Sequence, residues 1–473
     1  MFKYGLLNFV PRESLDWQFP LVTLDGMNRL VKGISQVIAV SLLATTNLLG
    51  SNWPQFRGLQ ACGIDTNAVA PVTWDVEKGE NIRWQAAVPG LAHSSPIIWG
   101  DRVYVTTAVR PGKAELKVGL YGDIQSAEDT DTHQWRLLAF EKASGKLVWD
   151  KEGYEGKPRT KRHPKSSHCS STPATDGKRI VAIFGSEGLF CFDMDGKVIW
   201  KKDLGPMDSA YYVVPTAQWG FASSPVIYDN KVVVQCDVLT NSFLAVYNLT
   251  DGQELWRTPR KDVPTWSTPT VVRVGDQTQI LLNGWHHIGA YDFATGKEIW
   301  KLDGGGDIPV PTPIVGNGLA YFTSGHGRFG PMRGIRLDAK GDITPEDVPK
   351  TNSSIAWVHP RKGNYMQTPI LVGEELFGCV DWGIFSSFDA RTGNINFSER
   401  IGSGSEGFTA SPVSDGRHIY LTSEVGNVYV ADAGTKFSIV STNKLGETCM
   451  ASPAICDGTL YFRAREHLIA VGK

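Results

Sequence analysis

The chain has 473 residues, 41% hydrophobic and 20% charged, a balance that excludes both a disordered chain and a membrane bundle. Its formal net charge of −2 supplies no basic face, so nucleic acid is not an expected partner. Fifty glycines, 26 prolines and 15 tryptophans point to many tight turns between short strands, hence to an all-β protein.

The apolar core within residues 34–49 (ISQVIAVSLLATTNLL) is too short and too rich in Ser and Thr for a membrane-spanning helix. Arg29 and Lys32 precede it, and small residues follow near Ser51. This is the pattern of a secretory signal peptide over about 27–51, starting at Met27, with 1–26 as an upstream extension. The expectation is export to the periplasm or the exterior, peripheral to the cell envelope, with no transmembrane span in the mature chain. A lead-in segment, 52–79, begins NWPQFRG.

From residue 80 to 473 one unit recurs. Its first signal is a small or polar residue before Pro and a short run of strand-forming residues: SSPII at Ser94, STPAT at Ser171, SSPVI at Ser223, STPTVV at Ser267, PTPIV at Pro311, QTPIL at Gln367, ASPVS at Ala410 and ASPAI at Ala451. The prolines are spaced by 77, 52, 44, 44, 56, 43 and 41 residues. A period of about 40–50 residues with four strand signals per unit is that of a propeller blade, and the longer gaps imply insertions. After each Pro strand comes a turn pair, among them Gly100-Asp101, Asp229-Asn230, Gly316-Asn317 and Asp457-Gly458, of residue types that accept positive φ. The second half of the unit reads AFEKASGKLVW at Ala139, CFDMDGKVIW at Cys191, VYNLTDGQELW at Val246, AYDFATGKEIW at Ala290 and SFDARTGNINF at Ser387. Its closing tryptophans (Trp149, Trp200, Trp256, Trp300) read as packing between blades. The eighth unit supplies three strands, and the orphan strand 80–86 (ENIRWQA), with Trp84 in the repeated position, completes it. The predicted fold is therefore an eight-bladed β-propeller of four-stranded antiparallel blades, the last closed by the N-terminal strand.

The A-x-D-x-x-T-G-x-x-x-W pattern with its Ser/Thr-Pro strand resembles the pyrroloquinoline-quinone (PQQ) repeat of the quinoprotein-dehydrogenase-like superfamily. With NWPQFRG, the chain resembles secreted bacterial PQQ-like propellers, related in fold to the propeller lipoprotein of the outer-membrane β-barrel assembly machinery. Enzymes of that superfamily carry a vicinal disulfide, a Glu/Asn/Asp calcium site and a catalytic Asp. Here Cys62, Cys169, Cys191, Cys236, Cys379, Cys449 and Cys456 are scattered, with no Cys-Cys pair and no C-x-x-C. The resemblance implies a non-enzymatic binding or scaffold module without cofactor or resident metal. The alternative it implies is a PQQ- and calcium-dependent dehydrogenase.

In an up-and-down blade, the loops joining strands two to three and strand four to the next blade share one face. The insertions collect there: 107–134, 151–168, 201–220 and 325–333. Long loops on a rigid scaffold carry function. The candidates on this face are Tyr211, Tyr212, Trp219, Glu187, Asp237, Trp285, His286, His326, Arg328, Asp381, Trp382, Glu424 and Arg465. Against them stands the plainer reading: charges that solvate the channel mouth, histidines that are hydrogen-bonded rather than ligating, and a basic run at 157–165 that is a solvated loop. The expected partner is protein or carbohydrate, met by a monomer.

Overall fold

The computed structural model describes residues 51–119, 125–326, 330–347 and 350–473. Residues 1–50, and with them nearly all of the expected signal segment, lie outside the described residues. Helix within the described residues is confined to two 3-10 turns, Leu59–Ala61 and Gly185–Glu187.

The strands form eight four-stranded antiparallel blades, with one short parallel addition to blade four. Blade one runs through Ile97–Trp99, Arg102–Val109, His133–Glu141 and Leu147–Gly156. Blade three is the plain unit: Val226–Tyr228, Lys231–Cys236, Phe243–Asn248 and Glu254–Pro259. Its two middle strands are buried on both faces because neighbouring blades cover them. Its outer strand is exposed except at alternating positions such as Trp256 and Thr258. Blade eight takes Ala454–Cys456, Thr459–Arg463 and His467–Val471 from the C-terminal end and Ile82–Ala87 as its fourth strand, as predicted. The Trp84–Ala470 and Gln85–Ile469 pairs fix that register.

Two devices join the blades, and both explain a repeated residue. The Ser or Thr before each Pro turns its hydroxyl to the preceding blade. Ser95 N–H donates to Thr172 Oγ1 (2.8 Å), Thr172 to Ser224 (2.9 Å), Ser224 to Thr268 (3.0 Å) and Thr268 to Thr312 (3.2 Å). Thr312 continues to Thr368 (3.0 Å), Thr368 to Ser411 (2.9 Å) and Ser411 to Ser452 (2.8 Å). These seven links ring the channel. The eighth position differs, because the buried Ser95 hydroxyl has no partner among the described residues.

The second device lies at the rim, where the outer tryptophans of blades one, two, three, five and eight each cover the corner glycine of the next blade, whereas blade six carries Phe397 there and Ile439–Lys444 of blade seven has no tryptophan. Trp256 lies on Gly296 and its indole N–H donates to Phe293 O (3.1 Å); Trp200 does the same with Gly252 and Leu249 O (3.0 Å). Trp84 closes the ring on Gly145 and Lys142 O (3.0 Å). Blade five breaks the pattern. Its corner holds Ala339, and the following insertion places Gly341–Asp342 in parallel beside Trp300, which is 1% exposed.

The lead-in segment crosses the face of the strand one-to-two turns. Trp53 exchanges backbone hydrogen bonds with Ile98. Fully buried Arg57 donates to Pro412 O (2.5 Å) and Pro369 O (3.0 Å), tying blades six and seven together. One predicted turn shifts by a residue. Gly316 pairs with Leu319, so the turn is Asn317-Gly318, both with positive φ, and not Gly316-Asn317.

Candidate functional site

The loop-rich face is built from three insertions. The fourth strand of blade one extends to Gly156, so the interblade loop begins at residue 157 rather than 151. The basic run in this loop is solvated at Lys157, Arg159 and Lys161, as the plainer expectation had it, but its second half is buried. Arg162 is 1% exposed, and His163 and Lys165 are buried. Arg162 Nε donates to Asp129 Oδ2 (2.6 Å) in the neighbouring insertion, and its other nitrogens to Ser166 O (2.9 Å) and Glu115 O (3.0 Å). Lys165 Nζ reaches Glu424 Oε1 (2.9 Å) and Gly119 O. Glu424, in the two-to-three corner of blade seven, also accepts from Gly119 N–H (2.7 Å) and Thr409 Oγ1 (2.5 Å). The insertion of blade one therefore reaches across the channel mouth to blade seven.

The third insertion forms a hairpin, Ala210–Tyr211 with Val214–Gln218. It presents Tyr211 and Tyr212 in a chain of rings. Trp285 stacks on His286 (4.0 Å between centroids), Tyr212 meets Trp285 (5.0 Å) and Tyr211 (5.3 Å), and Tyr211 approaches His326 (6.0 Å), which meets Tyr365 (5.2 Å). Among these, Tyr211, Tyr212, Trp285 and His326 are half-exposed and His286 is exposed. His286 is held by Asp303 (3.0 Å) and His326 by Asp307 (2.7 Å), each histidine on its own carboxylate.

The remaining candidates scatter. Asp237 is fully buried and paired with Arg260 (2.7 Å), which also donates to Tyr291 Oη (2.7 Å), so it braces blades three and four. Glu187 is buried and accepts from Arg159 N–H (3.0 Å). Arg465 donates to Gly90 O (2.9 Å) at the seam of blades eight and one. Trp382 is exposed, and burial pushes its neighbour Asp381 up to about 6. Arg328 lies outside the described residues. Trp219 turns inward, stacked on His163 (4.2 Å) and edge-on to Trp266 (6.4 Å).

Trp219 and Trp266, with Phe56, His93, Lys165 and Tyr365, line a channel cavity of about 140 Å³. Typical small-molecule sites span about 300–1,000 Å³. A PQQ molecule is a tricarboxylate and would need cations here. Lys165 is already matched by Glu424, and burial holds His93 down at about 3, hence neutral. The donor set does not fit the quinone. The cysteines are all unpaired, and the six other than Cys62 are buried.

Sequence reasoning placed Lys165 in a solvated run and missed Asp129, Asp303, Asp307 and Tyr365. Lys165 pairs with Glu424 and Asp129 with Arg162, each from a different loop, and no local pattern announces such a pairing.

Comparison with known proteins follows this geometry. The profile of a PQQ-repeat family described as outer membrane protein assembly factor BamB matches residues 69–206 and 133–399. Outer membrane protein assembly factor BamB of Shewanella oneidensis is 24% identical over 297 residues, 60% of this chain and 69% of that protein. In fold, the chain is similar to BamB from Moraxella catarrhalis (TM-score 0.54, 14% identity, 77% of this chain and 98% of that one). It is also similar to a europium-containing methanol dehydrogenase (TM-score 0.59, 12% identity, 88% and 90%). Because the profile spans well over half of the sequence, the chain belongs to the BamB family of PQQ-repeat propellers.

Proposed function

We propose that this protein is an exported, non-enzymatic scaffold that binds protein partners in outer-membrane protein assembly through the aromatic mouth of its loop-rich face. The run of rings from Trp285 through Tyr212 and Tyr211 to His326 carries the reading. These side chains touch one another and solvent, and take no part in the blade-to-blade packing that occupies Trp200 and Trp256. Aromatic groups of this kind dominate interface energies, with truncation costing about 2 kcal/mol or more at a central position. Membership in the BamB family supports a protein partner over a carbohydrate, and a periplasmic site beside the outer membrane. The protein acts as a monomer and without a cofactor; the charge balance of the channel supports the second part of this reading.

A photo-crosslinking residue in place of Tyr212 tests the assignment in intact envelopes. The expected product joins this protein to a component of the β-barrel assembly machinery, and Trp285→Ala depletes it while leaving the melting temperature near wild type. Crosslinks of equal yield from Thr250, on the opposite face, would remove the assignment. Titration with PQQ and calcium decides the dehydrogenase alternative: tight stoichiometric binding with dye reduction would replace the scaffold reading.

A further inference from the structure

Away from the mouth, three metal-ligand side chains from two loops converge: Asp129 in the first insertion, His133 at the strand that follows it, and His168 in the interblade loop. All three side chains are buried, those of Asp129 and His168 to 4% and 6% exposure. His133 Nδ1 lies 2.9 Å from Asp131 O, so this nitrogen carries the proton and Nε2 keeps the lone pair. That is the second-sphere arrangement of metal-bound imidazoles. His168 Nε2 makes no hydrogen bond among the described residues, although it lies 3.3 Å from Asp129 Oδ2. A buried imidazole nitrogen without a partner is costly and calls for an occupant.

The spacing suits an ion. A tetrahedral ion with N and O ligands at about 2.0–2.1 Å sets its ligand atoms roughly 3.4 Å apart. The Asp129–His168 pair is already at 3.3 Å, and the ligand atoms of all three residues lie within 4.8 Å of one another. Asp129 also accepts from Arg162 Nε (2.6 Å) and Arg110 (2.7 Å), and Arg110 pairs with Asp131. A carboxylate has about four lone-pair positions, so two remain. The fixed charges of Arg110, Arg162, Asp129 and Asp131 sum to zero. Two imidazoles with one carboxylate favour Zn²⁺-class ions over Ca²⁺ or Mg²⁺, which want mainly oxygen.

We propose that Asp129, His133 and His168 form a binding site for a divalent transition-metal ion of the Zn²⁺ class, which staples the first insertion to the interblade loop. Calorimetric titration of untagged, chelator-treated protein with Zn²⁺ tests it, beside thermal melts with and without the ion. Expected are one saturable equivalent per chain and a higher melting temperature. His168→Gln weakens binding by at least about 100-fold, more than the loss of an outer-sphere partner. His286→Gln, on the exposed face, leaves it unchanged. Absence of saturable binding, or binding unaltered in His168→Gln, overturns the site and leaves an ion-pair cluster only. Should His168→Gln not fold, X-ray absorption at the zinc edge of the wild-type complex decides: two imidazoles support the site, and sulfur or fewer than two imidazoles overturns it.

Discussion

A methyl group added to Gly296 would come within 2.5 Å of the Trp256 ring, and this glycine has φ 69°. Gly296→Ala therefore meets both left-handed backbone strain and overpacking, and is expected to cost about 2–4 kcal/mol. Trp256→Ala empties the same contact, at about 3–5 kcal/mol. Both changes should lower the midpoint of a thermal melt well before Tyr212→Ala does; wild-type melting of Gly296→Ala would show the contact to be incidental. The pair is half-legible in sequence. Tryptophan and glycine recur at a fixed offset, but the offset cannot tell that a tryptophan meets the glycine of the next unit rather than its own. Asp381 gives a pH signature. Burial raises its pKa from 3.8 to about 6, so the folded state holds this proton more tightly than the unfolded chain. Its penalty is absent below about pH 4, grows as pH rises, and is complete above about 6. Asp381→Asn should flatten that segment of the stability–pH curve and gain about 1–2 kcal/mol at pH 7, since one unit is worth about 1.4 kcal/mol and part of the group meets solvent. Equal slopes in denaturant melts of both proteins between pH 4 and 6 would contradict it.

The first insertion and the interblade loop form one body, because each supplies the countercharges of the other. Arg162 is the center of it, with one carboxylate and several carbonyls on its guanidinium. Its loss strands the buried Asp129 beside Arg110 alone. Arg162→Ala is expected to cost about 3–5 kcal/mol, the range for breaking a buried ion pair. Limited proteolysis should find new cleavage in both loops, and a wild-type digestion pattern would separate them. The run KPRTKRHPK reads as solvated because its composition is that of a solvated loop. Burial of its second half was decided by acceptors 33 and 47 residues upstream and by Glu424 about 260 residues downstream, beyond the reach of any local pattern. The placement of insertions on one face was legible, since blade topology alone dictates it. Which candidates would meet there was not: Asp237 and Glu187 turned into the blades, whereas Tyr211, Tyr212 and Trp285 stayed outside.

Across the ring, the blade count and the strand that closes it were readable because the repeat is regular and one unit lacked a strand. The channel's own fastening was hidden, since the Ser/Thr-Pro signal shows a hydroxyl without showing that the preceding blade binds it. Seven such links are in place, and blades eight and one are joined instead by Trp84 on Gly145 and by the lead-in segment. Removing 52–88 takes away the fourth strand of blade eight together with Trp53 and Arg57. The expected result is loss of cooperative melting, with hydrogen exchange fastest in Ala454–Cys456 and Ile97–Trp99. Retained cooperativity would show that the other seven joints suffice.

The pairing of Ile82–Ala87 with His467–Val471 spans nearly 400 residues of chain. A ribosome or a translocation pore delivers the early strand long before its partner exists. Throughout that interval the early strand has unsatisfied backbone groups along its edge, although Gly145, which Trp84 covers, follows it far sooner. Completion of the ring thus waits until His467–Val471 has been made, and a loop closure this long is slow. Any factor that shields this strand edge during that wait would act on yield without touching the stability of the finished protein.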